Sequence, residues 1–429
     1  MTEVKTDLPP EEFLYLVWQH KLFKPLYLTD GKPIKVISSG TRQLSGPDFC
    51  NAQIEIDGLK WAGCVEIHRK SSDWNVHNHS GNPEYNSVIL HVVWEDDGGP
   101  EIPTVELKHF VYNDVLDRWN NLLRSSTQIA CQNFISPIKI YQQSWLVRVA
   151  TERLQNRYDT IRQRLTERQY DWLQVLYELV MRYIGVPSNT DHFQMVAENL
   201  PYKIVSRHID SEIELLALLY GTSGWLFHLK DKGIDVSDVL VHWNHLSAKY
   251  DLKPLGIAWK RGTFRPYSHP LLRLAQAVSL LKFLPLLWEA ITHGDTDLAN
   301  RLLTVEPPDM WKETIGEKVF SKLKTFRTGS MIINVLVINV LAPMMFAFGK
   351  NREDNELTEK AIVWLDSIQP ENNSIIRQWK KVGIKPHSAM ETQALLHLFK
   401  NYCLPRRCLE CQWGRQFIVN IDKNHTIDP

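Results

Sequence analysis

The rhythm of apolar and polar positions changes once along this chain, near residue 107. Before that point apolar residues fall in short alternating runs bounded by Gly, Pro, Asn and Asp, the pattern of strands and tight turns. Strands are predicted over residues 34–37, 52–56, 61–65, 87–94 and 103–107, after a helix over 10–23. Asp57-Gly58 joins the second and third strands, and that dipeptide suits the positive φ angles of a hairpin turn. From about residue 138 to 399 the period becomes helical. Leu146, Val149, Leu154, Ile161 and Leu165 mark one face of a long helix over 141–166, with arginines on the others. Further helices are predicted over 172–183, 212–220, 270–287 and 331–341. No fixed repeat runs through them, which argues against a solenoid. The fold class expected is α+β: a small α/β domain over 1–136, then an all-α domain over 137–429.

Length and composition sharpen this picture only slightly. At 429 residues the chain is long enough for two or three cores. Basic and acidic residues balance at 49 each, so any phosphate-binding surface has to come from local clustering. The N-terminal residues lack a basic segment followed by an apolar one, which predicts a cytoplasmic protein. The uncharged run 331–348 is barely long enough to span a bilayer. Asn334 and Asn339 are costly in lipid, so a buried core helix ending near Pro343 is expected, with no membrane partner.

Candidate chemistry concentrates in the predicted hairpin. Gly46-Pro47-Asp48-Phe49 precedes its first strand, and Glu66-Ile67-His68 lies at the end of its second. A hairpin brings Asp48 and Glu66 to neighbouring strand ends, where paired carboxylates suit Mg²⁺ or Mn²⁺. Such an ion activates water and stabilises charge on a phosphoryl oxygen. His68 is placed to bind metal or shuttle protons. His77, His79, Glu84 and His91 follow closely, so His77, His79 and His91 are further metal candidates. In the helical part, Arg148, Arg153, Arg157, Arg162 and Arg164 share one helix. Arg261, Arg265 and Arg273, with Trp259 and Phe264, are candidates for contacts to a nucleic-acid backbone. Near the C-terminus Cys403, Cys408 and Cys411 have the spacing C-x4-C-x2-C, which points to zinc or an iron–sulfur cluster in a reducing compartment. Cys131 is the expected fourth ligand and His397 the alternative, whereas Cys50 and Cys64 read as ordinary strand residues.

The Pro47-Asp48 and Glu66-x-His68 pattern, with its order of elements, resembles the PD-(D/E)xK nuclease superfamily. The resemblance implies an αβββαβ core, a metal-dependent nuclease acting on phosphodiesters, and a helical acid at Glu11 or Glu12. His68 stands where the family has Lys, and residues 71–84 look like a loop where the family has a helix. His77-x-His79 followed by Glu84 is similar to the first motif of cupins, which implies a jelly roll as the rival fold. The cysteine segment is similar to the iron–sulfur staple of some nucleases of that superfamily. Over its length the chain also resembles a bacterial family carried as a domain of unknown function. That match rests on the motifs around Asp48, Glu66, Trp74, His91, Phe264, Arg273 and Cys403. The function expected is a metal-dependent nuclease with nucleic acid as partner. The alternative is a ligand- or partner-binding protein whose N-terminal module is degenerate.

Overall fold

The computed structural model describes residues 8–132, 139–260 and 266–419. The chain forms two compact units, one of residues 1–145 with 396–429, the other of residues 146–395. The C-terminal cysteine segment thus groups with the α/β part of the chain, where the sequence reading had placed it in the helical domain.

The first unit is built on one mixed sheet. Helix α1 (Glu11–Gln19) is followed by β1 (Leu26–Tyr27), β2 (Pro33–Ser38), β3 (Thr41–Arg42), β4 (Phe49–Ile56) and β5 (Leu59–Lys70). Then come a single helical turn α2 (Asp73–Val76), β6 (Val88–Glu95), β7 (Thr104–Glu106) and helix α3 (Asn113–Arg124). The sheet order is β1-β2-β4-β5-β6-β7, with β3 paired to β4. Strands β2, β4 and β5 form an antiparallel meander, and β6 returns parallel to β5 after α2. The connection 71–87 therefore contains the helical turn that its polar composition hid. This open sheet differs from the two-sheet jelly roll of the cupin alternative.

Helix α1 covers the sheet because its apolar residues recur at helical spacing. Phe13, Leu14, Val17 and Trp18 are wholly buried. Phe13 stacks on Trp119 of α3 at 5.6 Å and meets Trp94 of β6 edge-on. The Trp18 indole N–H donates to the Ser39 carbonyl at 3.0 Å, satisfying its one polar atom. The hairpin turn is where Asp57-Gly58 puts it, with φ of 51° and 77°.

The β4–β5 ladder is interrupted by a bulge. Phe49 faces Val65 and Ala52 faces Gly63, so Cys50 and Asn51 together oppose Cys64. Asn51 takes a φ of 61° there. The bulge brings the α-carbons of Cys50 and Cys64 to 4.1 Å, and the two are joined in a disulfide. This corrects the reading of both as unpaired strand residues; a one-residue irregularity in the ladder leaves no trace in apolar alternation.

The second unit is helical. The long helix α4 (Lys139–Glu167) leads into it, and α5 (Trp172–Ile184) forms part of its core. The segment predicted as one helix over 270–287 is two, Pro270–Leu281 and Leu284–His293, bent by 65° where Pro285 opens the second. Pro343 does not end its helix. The helical stretch Ser330–Asn351 continues through it because Val337–Leu341 adopts the wider i→i+5 spacing just before. Two-thirds of the most apolar part of that stretch is buried, which is the environment of a core helix.

Gly63 fixes how closely β5 and β6 approach. A Cβ there would sit 2.5 Å from Ile89 Cγ2 and 2.6 Å from the Ser87 carbonyl, beside the 2.8 Å bond from the Cys64 amide to that same carbonyl. Gly63→Ala should therefore destabilise the first unit by about 1–3 kcal/mol. Urea unfolding would show this as a lower midpoint, and an unchanged midpoint would mean that the two strands have slack.

Candidate metal centre

The strand register places Asp48 directly across from Glu66. Their side chains cross the ladder in opposite senses: the Asp48 amide donates to Glu66 Oε2 at 3.0 Å, and the Ile67 amide donates to Asp48 Oδ2 at 2.9 Å. One oxygen of each carboxyl is thus committed to backbone. Glu66 and His68, two apart on β5, share a face, and His91 is the register partner of Glu66 on the neighbouring strand. Helical turn α2 delivers His77 at its C-terminal end, and a turn at Asn78, with φ of 59°, swings His79 back onto the sheet.

His68 is the hub. Its Nε2 lies 3.1 Å from His77 Nδ1, 3.3 Å from His79 Nε2 and 3.5 Å from Glu66 Oε1. Glu66 Oε1 is also 3.1 Å from His79 Nε2. On the far side His68 Nδ1 pairs with His91 Nε2 at 2.9 Å. Trp74 packs edge-on against His68, His79 and His91, and Tyr85 stacks on His79 at 3.8 Å. Sequence reasoning left Tyr85 out of the site, for an aromatic in a polar loop carries no signal of its role. Glu66, His68, His79 and His91 are buried, whereas His77 is exposed and marks the mouth of the site.

Acidic groups line the other side. Tyr15 of α1 hydrogen-bonds Glu11 Oε2 at 3.3 Å, and the Arg42 guanidinium lies 4.4 Å over its ring. Burial, with the Asp48 charge, raises the Glu11 carboxyl above its ordinary range. Asp48 is also raised, by burial. Burial and the nearby Asp48 push Glu66 up to about 8. The imidazoles move the opposite way: burial, with the neighbouring rings, lowers His68 to about 3 and His91 to about 4, and lowers His79. Buried carboxyls that resist ionising thus face imidazoles that resist protonation.

Among the described residues, His68, His77 and His79 form a group whose possible ligand atoms all lie within 4.8 Å of one another. His68 Nε2, His79 Nε2 and Glu66 Oε1 stand 3.1–3.5 Å apart, close to the roughly 3.4 Å between ligands about 2.0–2.2 Å from one ion, and His77 Nδ1 lies 3.1 Å from His68 Nε2. A single ring nitrogen cannot satisfy three polar neighbours by hydrogen bonding, because it carries one proton or one lone pair. Three imidazoles and a carboxylate suit zinc or manganese better than magnesium, which prefers an oxygen shell. The expected pair of carboxylates is thus joined by a histidine-rich set, with Asp48 beside it. Glu84 is exposed.

The other candidates fall elsewhere. Arg261 and Arg265, with Phe264, lie outside the described residues. Arg273 is 3% exposed, so it is not a surface contact for a nucleic-acid backbone. It bonds Gln276 Oε1 at 2.8 Å and lines a cavity of about 390 Å³ in the second unit. It was expected to meet phosphate from the opening of its helix, yet every residue of Pro270–Leu281 is buried. On α4, Arg164 bonds the buried Glu178, burial holds Arg153 below its ordinary range, and Arg157 reaches Asn339. These arginines serve internal packing.

The chain belongs to the family described as protein of unknown function (DUF2851), whose model matches residues 11–374. No curated protein and no solved structure is significantly similar to it. The matched span includes every histidine and carboxylate of the site and ends before the C-terminal cysteines.

The pH dependence of the metal-free protein follows from these shifts. An unfolded histidine takes up a proton near pH 6.5, but His68 and His91 stay neutral in the fold until about 3 and 4. Their contribution is complete above 6.5 and is lost as pH falls from there, by up to about 1.4 kcal/mol per pH unit for each. Glu66 has the opposite sign, contributing fully below 4.5 and losing that contribution as pH rises through about 8. In urea unfolding across pH, His91→Gln should flatten the acid limb and Glu66→Gln the alkaline limb. Parallel curves for wild type and both variants would show that these groups titrate normally.

Proposed function

We propose that the first unit is a metal-dependent phosphodiesterase of nuclease type. The observation that carries this reading is the convergence of His68, His77, His79 and Glu66 Oε1 on one small volume beside Asp48. The order α1, β2, β4, β5, α2, β6, with Asp48 leading into the second strand and Glu66-x-His68 on the third, supports a PD-(D/E)xK-type core. Glu11 is the helical acid in this reading, since its carboxyl lies within electrostatic reach of Asp48. The replacement of Lys by His68 changes the metal preference toward zinc or manganese.

A bound divalent ion supplies Lewis acidity toward a phosphoryl oxygen and a water of lowered pKa. The chain's own residues do the rest. His91 pairs with His68 Nδ1 and so fixes the ring and leaves Nε2 free to ligate. Glu66 is held by the Asp48 amide through Oε2, which aims Oε1 at the histidines. Asp48 and Glu11, both raised toward neutrality by burial, are placed to take a proton from the attacking water. Arg42 and the exposed His77 flank the opening, where a phosphate would approach.

Cleavage of single- and double-stranded DNA and RNA should be assayed with Mn²⁺, Zn²⁺ and Mg²⁺, alongside metal binding by titration. Glu66→Gln, His68→Ala and Asp48→Ala should each lower cleavage about 10²-fold or more, with Glu66→Gln and His68→Ala also weakening metal binding. Wild-type cleavage in all three variants would place the activity elsewhere. Tight metal binding without cleavage of any nucleic acid would favour the non-catalytic reading, in which the same site holds a ligand or partner.

A further inference from the structure

Outside that site, the densest chemistry is a group of four buried thiols in the same unit. Cys131 follows α3, and Cys403, Cys408 and Cys411 come from the C-terminal segment; all four are free and buried. One arginine draws the two segments together. Arg406, in the left-handed region at φ 60°, donates to the carbonyls of Ser125 at 2.7 Å, Thr127 at 2.8 Å and Gln128 at 3.3 Å. Gly414 lets the cysteine loop fold back on the helix Gln412–Val419, because a Cβ there would meet the Cys408 carbonyl at 2.3 Å.

Every pair among the four thiols is close enough to interact electrostatically. Cys403 is raised by burial and then by Cys411, Cys131 and Cys408. Burial, with Cys411 and Cys408, pushes Cys131 up to about 12. The Cys411 sulfur accepts hydrogen bonds from the amides of Gly414 and Trp413 and from the Trp145 indole, and the Cys131 sulfur from its own amide. Donors aimed at sulfur suit a thiolate, and a packing thiol needs none.

The spacing of the sulfurs separates two kinds of ion. Four thiolates at about 2.3 Å from a zinc would stand about 3.8 Å apart. No three of these sulfurs form a group within 4.8 Å of one another among the described residues, as the histidine nitrogens do. A cluster whose separate irons each take one cysteine fits a wider tetrahedron of sulfurs.

We propose that Cys131, Cys403, Cys408 and Cys411 ligate a [4Fe–4S] cluster that ties the C-terminal segment to the α/β unit. Loading would release the four thiol protons and add its binding free energy to folding. Cys403, at the end of the helical run Phe399–Cys403, and Cys411, at the start of the next helix, make the cluster the hinge pin of the segment. The proposal is independent of the phosphodiesterase reading.

The full chain should be purified anaerobically from iron-supplemented cells. About four irons and four acid-labile sulfides per chain are expected, with a broad visible absorption that dithionite bleaches. Cys131→Ser and Cys408→Ser should each lower the iron content at least severalfold and destabilise the protein to heat, whereas Cys50→Ser should keep the cluster. Because the first two variants risk misfolding, the wild-type protein supplies the deciding measurement after reconstitution with sulfide and equal parts of ferrous and ferric iron. One zinc per chain without sulfide, or failure to take up iron under reconstitution, would overturn the cluster.

Discussion

The reciprocal bonding of Asp48 and Glu66 across the β4–β5 ladder is the constraint on which the site depends. Each carboxyl gives one oxygen to the backbone of the opposite strand, and that bond orients the other oxygen. Without it the two acids would have no fixed orientation across the two central strands of the sheet. With it, Glu66 Oε1 faces His68 and His79, and Asp48 lies within electrostatic reach of Tyr15, Arg42 and His77. The bulge at Cys50 and Asn51 sits immediately beside this pair, and the disulfide closes over it. Irregular ladders commonly border functional sites because they re-aim side chains that a regular pleat would send elsewhere. Here the bulge keeps Asp48 opposite Glu66 while the remainder of the hairpin shifts by one residue.

Much of this was legible in the sequence, for identifiable reasons. Asp57-Gly58 fixed the hairpin, because a tight turn has few solutions. Alternation then assigned faces, so Glu66 and His68 were expected together. The strand ends were read too short: β5 runs to Lys70, because its buried residues 64–68 include polar ones that break the alternation without ending the strand. The helical turn at Asp73–Val76 was hidden, since a four-residue helix has no period to detect. Arg273 failed for another reason. A charged residue was assumed to face solvent, but its helix is buried on all sides. The Cys50–Cys64 bond depends on a bulge, and a reading of the cysteines as reduced gave no cause to look for it.

The electrostatics of the site argue in the same direction as its geometry. Three carboxyl groups, Glu11, Asp48 and Glu66, are raised above their ordinary range in a volume where the histidines are held neutral. A protein that wanted only rigidity there would gain from apolar residues, since buried polar networks stabilise little unless fully satisfied. Arg42 stacks on Tyr15 at the rim and does not enter the cluster of ring nitrogens. The neutral imidazoles and the raised carboxyls meet around His68 Nε2, which His77 Nδ1, His79 Nε2 and Glu66 Oε1 all approach.

A divalent cation at that point would reverse each cost. It would hold Glu66 ionised, use the lone pairs that burial keeps on the imidazoles, and lower the repulsion between Glu66 and Asp48. The order of burial then acquires a meaning. His91, wholly enclosed, sets the ring of His68; Glu66 and His79 form the inner wall; His77 alone reaches solvent. An ion held from one side by buried ligands keeps its outward face toward the exposed mouth, where water or an anionic substrate can complete the shell. Structural metal sites are closed on all sides, and catalytic ones keep such a position open. The exposure of His77 therefore favours a working centre over a structural pin, whereas the four cysteines, each buried, have the enclosure expected of a pin.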